Sequence, residues 1–194
     1  MLDALRNRVE PFLIGMGGRI PLSPNSVSSI AFAFSALALV ALFKNMLLAG
    51  AIFIGLNGLF DGLDGAVAKA RGVESKRGDL LDHVLDRYAD LFMMLGVSFN
   101  CNSYLALTAL AVVLLISYTG VEAQALAGLR NYGGLLGRAD RIVLLIVFII
   151  SQSLFGPETI GFALLDLLMV YFLIVGNITV VQRVLRLWRE LAKD

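Results

Sequence analysis

Cysteine and histidine are almost missing from this chain, with Cys101 and His83 the sole examples among 194 residues. A single cysteine excludes an intrachain disulfide and a cysteine-cluster metal site, and a lone histidine argues against zinc. Charge is scarce too: 16% of residues are charged, 58% are hydrophobic and mean hydropathy is +0.82, which together exclude a water-soluble domain. There is no internal repeat, no low-complexity tract and no soluble second domain. No serine or cysteine constellation suggests a covalent intermediate, and no nucleic-acid partner is expected. The first eighteen residues are too charged for a secretory signal, so nothing is expected to be cleaved.

What is present is a set of charge-free runs over residues 20–43, 45–60, 91–121, 142–157 and 167–182. A membrane span needs roughly 20 apolar residues. The pattern predicts helices over 25–43, 46–69, 78–99, 103–126, 139–155 and 159–182, hence an all-α integral membrane protein with six transmembrane helices. One domain is expected over residues 1–194: an amphipathic interfacial helix over 1–19, a six-helix bundle over 20–182 and a basic tail over 183–194. In the opening segment Leu2, Leu5, Val9, Phe12 and Leu13 share one side while Arg6, Arg8 and Glu10 lie elsewhere, which suits a helix lying in the interface. The tail has the same character.

The basic residues set the orientation. Fourteen of the sixteen Lys and Arg residues fall before the first helix, in the second and fourth turns or in the tail, against Lys44 alone on the other side and Arg87 within a helix. Short cytoplasmic loops retain positive charge, so both termini are expected in the cytoplasm of a multi-pass cell-membrane protein.

Five aspartates, Asp61, Asp64, Asp82, Asp86 and Asp90, fall inside predicted spans. An uncompensated aspartate at a helix centre costs roughly 2.5–3.5 kcal/mol, so each needs a reason. Hydration at the interface would serve for Asp64 but poorly for Asp86 and Asp90. Counting about 1.5 Å per residue puts Asp61 roughly 23 Å below the outer face, and Asp82 and Asp86 roughly 6 and 12 Å above the inner face, at overlapping depth. Asp61 and Asp64 are three apart and Asp82 and Asp86 four apart, so each pair projects from one face of its helix. Four converging carboxylates cannot all remain ionised in a low dielectric, whereas two divalent cations neutralise them. Oxygen ligands favour Mg²⁺ or Mn²⁺. Gly55, Gly58, Gly62 and Gly65 follow the same helix at small-residue spacing, serving either close helix packing or the approach of a ligand to bare backbone.

From Asp61 to Asp86 the sequence resembles the signature D-x2-D-G-x2-A-R-x8-G-x3-D-x3-D of the CDP-alcohol phosphotransferases. Asp61, Asp64, Gly65, Ala68, Gly78, Asp82 and Asp86 match in register, and Lys69 stands where the family has arginine. Lysine keeps the charge but loses the bidentate fork, which Arg71 would replace. Residues 21–27, PLSPNSV, are similar to the segment preceding the family's first helix. The resemblance implies a six-helix fold that transfers a substituted phosphate from a CDP-linked lipid donor to a small alcohol, releasing CMP in phospholipid biosynthesis. It implies two divalent ions, one held by Asp61, Asp64 and Asp82 and another by Asp82 and Asp86, with Asp86 also the base. Gly65, Ala68, Lys69 and Gly78 would line the cytidine and diphosphate site near the cytoplasmic face, and the protein would pair as a homodimer among membrane lipids.

For the acceptor, the basic fourth turn with Arg130, Arg138 and Arg141 is the best candidate. Gly137, Asp140 and Arg141 are similar to the G-x-x-E-R element of the inositol-phosphate-using branch, and Ser117-Tyr118 resembles the start of its preceding motif, although Gly120 and Glu122 stand where that branch has basic residues. His83 points about 100° from its ligand neighbour and is expected to face another helix. Arg87 is expected to pair with Asp90 or a neighbouring helix; Glu122 and Asp166 have no assigned role.

Two other classes also bury acids in lipid. A proton- or ion-coupled transporter needs a path to both faces, whereas these acids gather near one. An aspartate-rich membrane prenyltransferase carries paired motifs on separate halves, which this short chain lacks. If Arg138 and Arg141 clamp an acceptor phosphate, Arg141→Ala raises the acceptor's KM greatly and leaves the donor's nearly unchanged in steady-state kinetics. Equal changes for both substrates would place the acceptor elsewhere.

Overall fold

Helices begin in this chain where an oxygen is available for their first free amides. Ser23 Oγ accepts from Ser26 N at 3.2 Å with Pro24 at the first helical position, Ser75 Oγ accepts from Gly78 N at 3.1 Å, and Asn102 Oδ1 accepts from Tyr104 N and Leu105 N. The computed structural model describes residues 11–128, 133–156, 158–159 and 162–193. Residues 1–10 of the expected interfacial helix, together with Arg130 and Asp194, lie outside the described residues.

Seven helices are described: α1 (residues 11–17), α2 (Pro24–Phe43), α3 (Leu47–Arg71), α4 (Lys76–Ser98), α5 (Ser103–Ala127), α6 (Arg138–Phe155) and α7 (Leu164–Leu191). The six expected helices correspond to α2–α7. The last is displaced: it starts at Leu164, after an antiparallel pair of two-residue strands, β1 (Glu158–Thr159) and β2 (Phe162–Ala163), and runs unbroken to Leu191. Hydropathy marks where lipid ends, not where a helix ends. No glycine or proline interrupts residues 177–191, so the expected separate tail continues α7.

By length and composition α2, α3, α5 and α7 are able to cross a membrane, four helices rather than six. The other two fall short because they carry the charges: α4 holds Asp79, Asp82, Asp86, Arg87 and Asp90, and the 18-residue α6 opens with Arg138, Asp140 and Arg141. Large apolar side chains such as Leu37, Ile52, Leu107, Val147 and Ile174 face outward, as in a helix bundle whose solvent is lipid.

The core explains how the bundle closes. α2 packs against both α3 and α4, α5 against α4 and α7, and α6 against α3 and α7. Leu42, 1% exposed, is a knob between two glycines: a Cβ at Gly50 would lie 2.6 Å from Leu42 Cγ, and one at Gly96 would lie 2.9 Å from Leu42 Cδ1 and 3.2 Å from Leu39 Cα. Small residues thereby set the approach of α3 and α4 to α2. At the opposite end of the bundle from the charged helix starts, Gln152 Nε2 donates to the Asn100 carbonyl at 3.0 Å, and Gln152 Oε1 accepts from Leu165 N at 3.3 Å. Asp166, unassigned from sequence, accepts from Asn102 N at 2.6 Å. Cys101 lies in this turn region, and burial with the Asp166 carboxylate nearby pushes its thiol up to about 12. Gly96→Val should overpack the α2–α4 contact and cost about 1–3 kcal/mol, read as a lowered unfolding temperature in detergent. An unchanged transition would mean Leu42 repacks freely.

Candidate active site

The three- and four-residue spacings place Asp61 and Asp64 on α3 and Asp82 and Asp86 on α4 toward a common cavity of about 1420 Å³. Carboxylate oxygens of Asp61, Asp64 and Asp82 lie within 4.8 Å of one another, as do ligand atoms of Asp82, His83 and Asp86. The two pairs meet as expected. α2 packs against both acid-bearing helices, and the α3 glycines turn to other neighbours. A Cβ at Gly55, Gly58 or Gly62 would face Ile146, Ile142 or Leu13, the tightest being 3.1 Å from Gly58 to Ile142 on α6. A Cβ at Gly65 would meet nothing within 4 Å. Gly58 therefore serves packing, and Gly65 leaves backbone open to a ligand.

Asp64 is buried at 6% exposure, which overturns interface hydration as the reason for it. Ser28 Oγ on α2 donates to its Oδ2 at 2.6 Å, and Gly65 N donates to its Oδ1. Sequence reasoning missed Ser28, one of several serines on α2 with no spacing to distinguish it. His83 does not turn to another helix: it lines the cavity, with Nε2 3.9 Å from Asp79 Oδ1. Arg87 pairs as expected, 3.5 Å from Asp90 and 3.4 Å from Asp86.

The basic residues are more engaged than their positions suggest. Arg138 Nη1 donates to both Asp61 Oδ1 and Asp86 Oδ1, and Arg141 Nη2 donates to Asp90 Oδ2 at 3.0 Å. Both arginines line the cavity, so the candidate phosphate clamp is tied to carboxylates. Arg71 donates to the Leu22 carbonyl at 2.9 Å and to that of Ile20, pinning the segment before α2. Arg183, placed in the tail by sequence, is buried at 7% and donates to the carbonyls of Gly133 at 2.9 Å and Ile116 at 2.6 Å, fastening α7 to α5 and the fourth turn. Gly65, Ala68, Lys69 and Gly78 also line the cavity.

The donor set fits a hard divalent ion. Three carboxylate oxygens within 4.8 Å of each other can all reach a cation at about 2.0–2.6 Å, and four acids against the Arg138 and Arg87 guanidinium groups leave a negative charge that a cation completes. Such a site beside an extended cavity suits phosphoryl-type transfer.

A family model described as CDP-alcohol phosphatidyltransferase matches residues 22–188. The chain is 28% identical to an archaetidylinositol phosphate synthase of Methanothermobacter thermautotrophicus over 98% of its length and 96% of the relative's, and 32% identical to one of Pyrococcus horikoshii over 95% of each. Among solved structures, it resembles a Mycobacterium tuberculosis phosphatidylinositol phosphate synthase with CDP-DAG bound, at TM-score 0.72 and 28% identity over 92% of each chain. The same enzyme in complex with manganese and citrate matches at TM-score 0.72 and 29% identity, over 92% of this chain and 88% of that one.

Because its hydroxyl fixes the Asp64 carboxylate, Ser28→Ala should weaken Mn²⁺ binding by about tenfold, measured by titrating purified protein. Undiminished affinity would assign Ser28 to helix packing alone.

Proposed function

From the chain's membership of the CDP-alcohol phosphatidyltransferase family, we propose that it joins a phosphatidyl-type group from a CDP-linked lipid to an inositol phosphate at the metal centre of Asp61, Asp64, Asp82 and Asp86. The reaction class is that of the family: metal-dependent transfer of a substituted phosphate from a CDP-alcohol to an alcohol, with release of CMP. The observation that carries the site assignment is the convergence of the Asp61, Asp64 and Asp82 oxygens within 4.8 Å on one cavity.

In this reading Asp61, Asp64 and Asp82 hold one ion, and Asp82 and Asp86 a second. Bound divalent ions polarise the diphosphate and neutralise the departing CMP. The chain's own groups supply the rest. Gly65, Ala68, Lys69 and Gly78 receive cytidine and diphosphate, where the bare α3 backbone at Gly65 admits close approach. Asp86 takes the proton of the acceptor hydroxyl as its oxygen bonds to phosphorus and the bond from phosphorus to CMP breaks. Arg138 and Arg141 face the acceptor's phosphate, and Arg183 fixes the wall behind it. Arg130, the third arginine of that turn, remains assigned there on sequence grounds.

Inositol phosphate is favoured because two relatives matched over nearly their whole length are archaetidylinositol phosphate synthases and because cationic side chains line the cavity beside the acids. α4 and α6 complete a six-span bundle of one domain over residues 1–194, their charges turned to the cavity and to each other. Lys69, Arg71, Lys76, Arg138 and Arg183 all border the same cavity, which with the positive-inside rule supports an active site at the cytoplasmic face with both termini in the cytoplasm. Homodimer pairing is carried over from the family.

Purified protein given a CDP-linked lipid, Mg²⁺ and inositol phosphate should release CMP, and EDTA should stop it. Asp61→Asn, Asp82→Asn and Asp86→Asn should each lower turnover on the order of 100-fold or more in inserted, folded protein. Near-normal CMP release by any one of them would sink the site assignment. Release with another alcohol but not with inositol phosphate would keep the reaction and reassign the acceptor.

A further inference from the structure

Asp90 lies outside the four-acid spacing, yet at 3% exposure it is the most buried acid among the described residues. Three guanidinium groups surround it. Its Oδ2 accepts from Arg141 Nη2 at 3.0 Å and lies 3.5 Å from Arg87 Nη1, while its Oδ1 lies 3.9 Å from Arg138 Nε. Arg141 alone would neutralise Asp90, so charge balance does not explain the other two.

Arg138 is the informative partner. Its Nη1 occupies Asp61 Oδ1 and Asp86 Oδ1, oxygens of two residues assigned above to divalent ions. Two cations on the same oxygens repel each other strongly where water is scarce. The remaining donors of this guanidinium, Nε and Nη2, are buried with no hydrogen-bond acceptor among the described residues. Asp90 Oδ1 stands beside them, and a shift of about 1 Å would bring Nε into hydrogen-bond range. Asp86 and Asp90 are one turn apart on α4, so the exchange needs no movement of α6.

We propose that Asp90 is a positioning residue that draws Arg138 away from Asp61 and Asp86 so that these carboxylates take up a divalent cation. Arg138 thereby stays in the cavity wall as a cation and does not compete for the ligand oxygens. The inference rests on Asp61 and Asp86 being metal ligands.

Mn²⁺ binding to the full-length protein in detergent, followed by electron paramagnetic resonance without substrates, tests it. Asp90→Asn should weaken Mn²⁺ binding by about 10–100-fold, and Asp90→Glu should retain most of the affinity. Adding Arg138→Gln to Asp90→Asn should give the affinity of Arg138→Gln alone, because the competing cation is gone; a role in folding, or a general effect of one negative charge, would leave the double variant weaker than Arg138→Gln by the same factor. Arg138→Gln alone should bind Mn²⁺ more tightly than wild type, a result independent of whether Asp90→Asn folds. Unchanged or weaker binding by Arg138→Gln, unchanged binding by folded Asp90→Asn, or a loss that persists in the double variant overturns the proposal. Wild-type binding that Asp61→Asn removes, together with any of those three results, overturns this role of Asp90 and leaves the metal centre standing. Wild-type binding no tighter than that of Asp61→Asn overturns both.

Discussion

Mutual repulsion among carboxylates in a medium that hydrates them poorly is the constraint on which this structure turns. Asp61, Asp64 and Asp82 bring oxygens within 4.8 Å of one another, and Asp86 joins Asp82 on the next turn of α4. Neither helix would hold such a cluster for its own stability, since each acid weakens a membrane span. The surroundings answer the repulsion piece by piece: Ser28 and the Gly65 amide bond Asp64, and Arg138 bridges Asp61 and Asp86. A divalent cation held there would supply the remainder, and with it the chemistry.

Much of this was legible in the sequence because helical geometry is periodic. Acids three and four apart must share a face, and an antiparallel helix pair fixes their relative depth, so Asp61, Asp64, Asp82 and Asp86 were found before any coordinate. Helix starts expected at residues 25, 78 and 103 lie at Pro24, Lys76 and Ser103, where side-chain oxygens of Ser23, Ser75 and Asn102 serve as caps. Contacts between helices distant in sequence were not. Arg138 reaches Asp61 across 77 positions, and Arg183 reaches Ile116 across 67, distances over which no local period carries information. The end of α7 was missed for a different reason, since polarity changes at the membrane boundary while the helix itself continues.

The glycines on α3 show how one pattern supports two purposes that sequence alone does not separate. A Cβ at Gly58 would meet Ile142 of α6 at 3.1 Å, whereas one at Gly65 would meet nothing within 4 Å. Their spacing is the same helical stripe. Only the position of α6, which leans on one part of that stripe, decides which glycine is packed and which is left bare for a ligand. The site is thus shaped as much by where α6 starts as by the acids themselves.

Stability and function are also divided along the length of the bundle. At one end Leu42 sits between Gly50 and Gly96, and Gln152 joins the turn at Asn100 to the start of α7, contacts that are apolar or neutral. At the other end the interior is ionic, with Arg141 on Asp90 and Arg138 on Asp61 and Asp86. Buried ion pairs return roughly what their desolvation costs, so the ionic end adds little net stability, while removal of either partner leaves an uncompensated charge that is strongly destabilising. The close-packed end must therefore hold the helices in register. That arrangement frees the ionic end to exchange partners among Asp61, Asp86, Asp90 and a bound cation without the bundle coming apart.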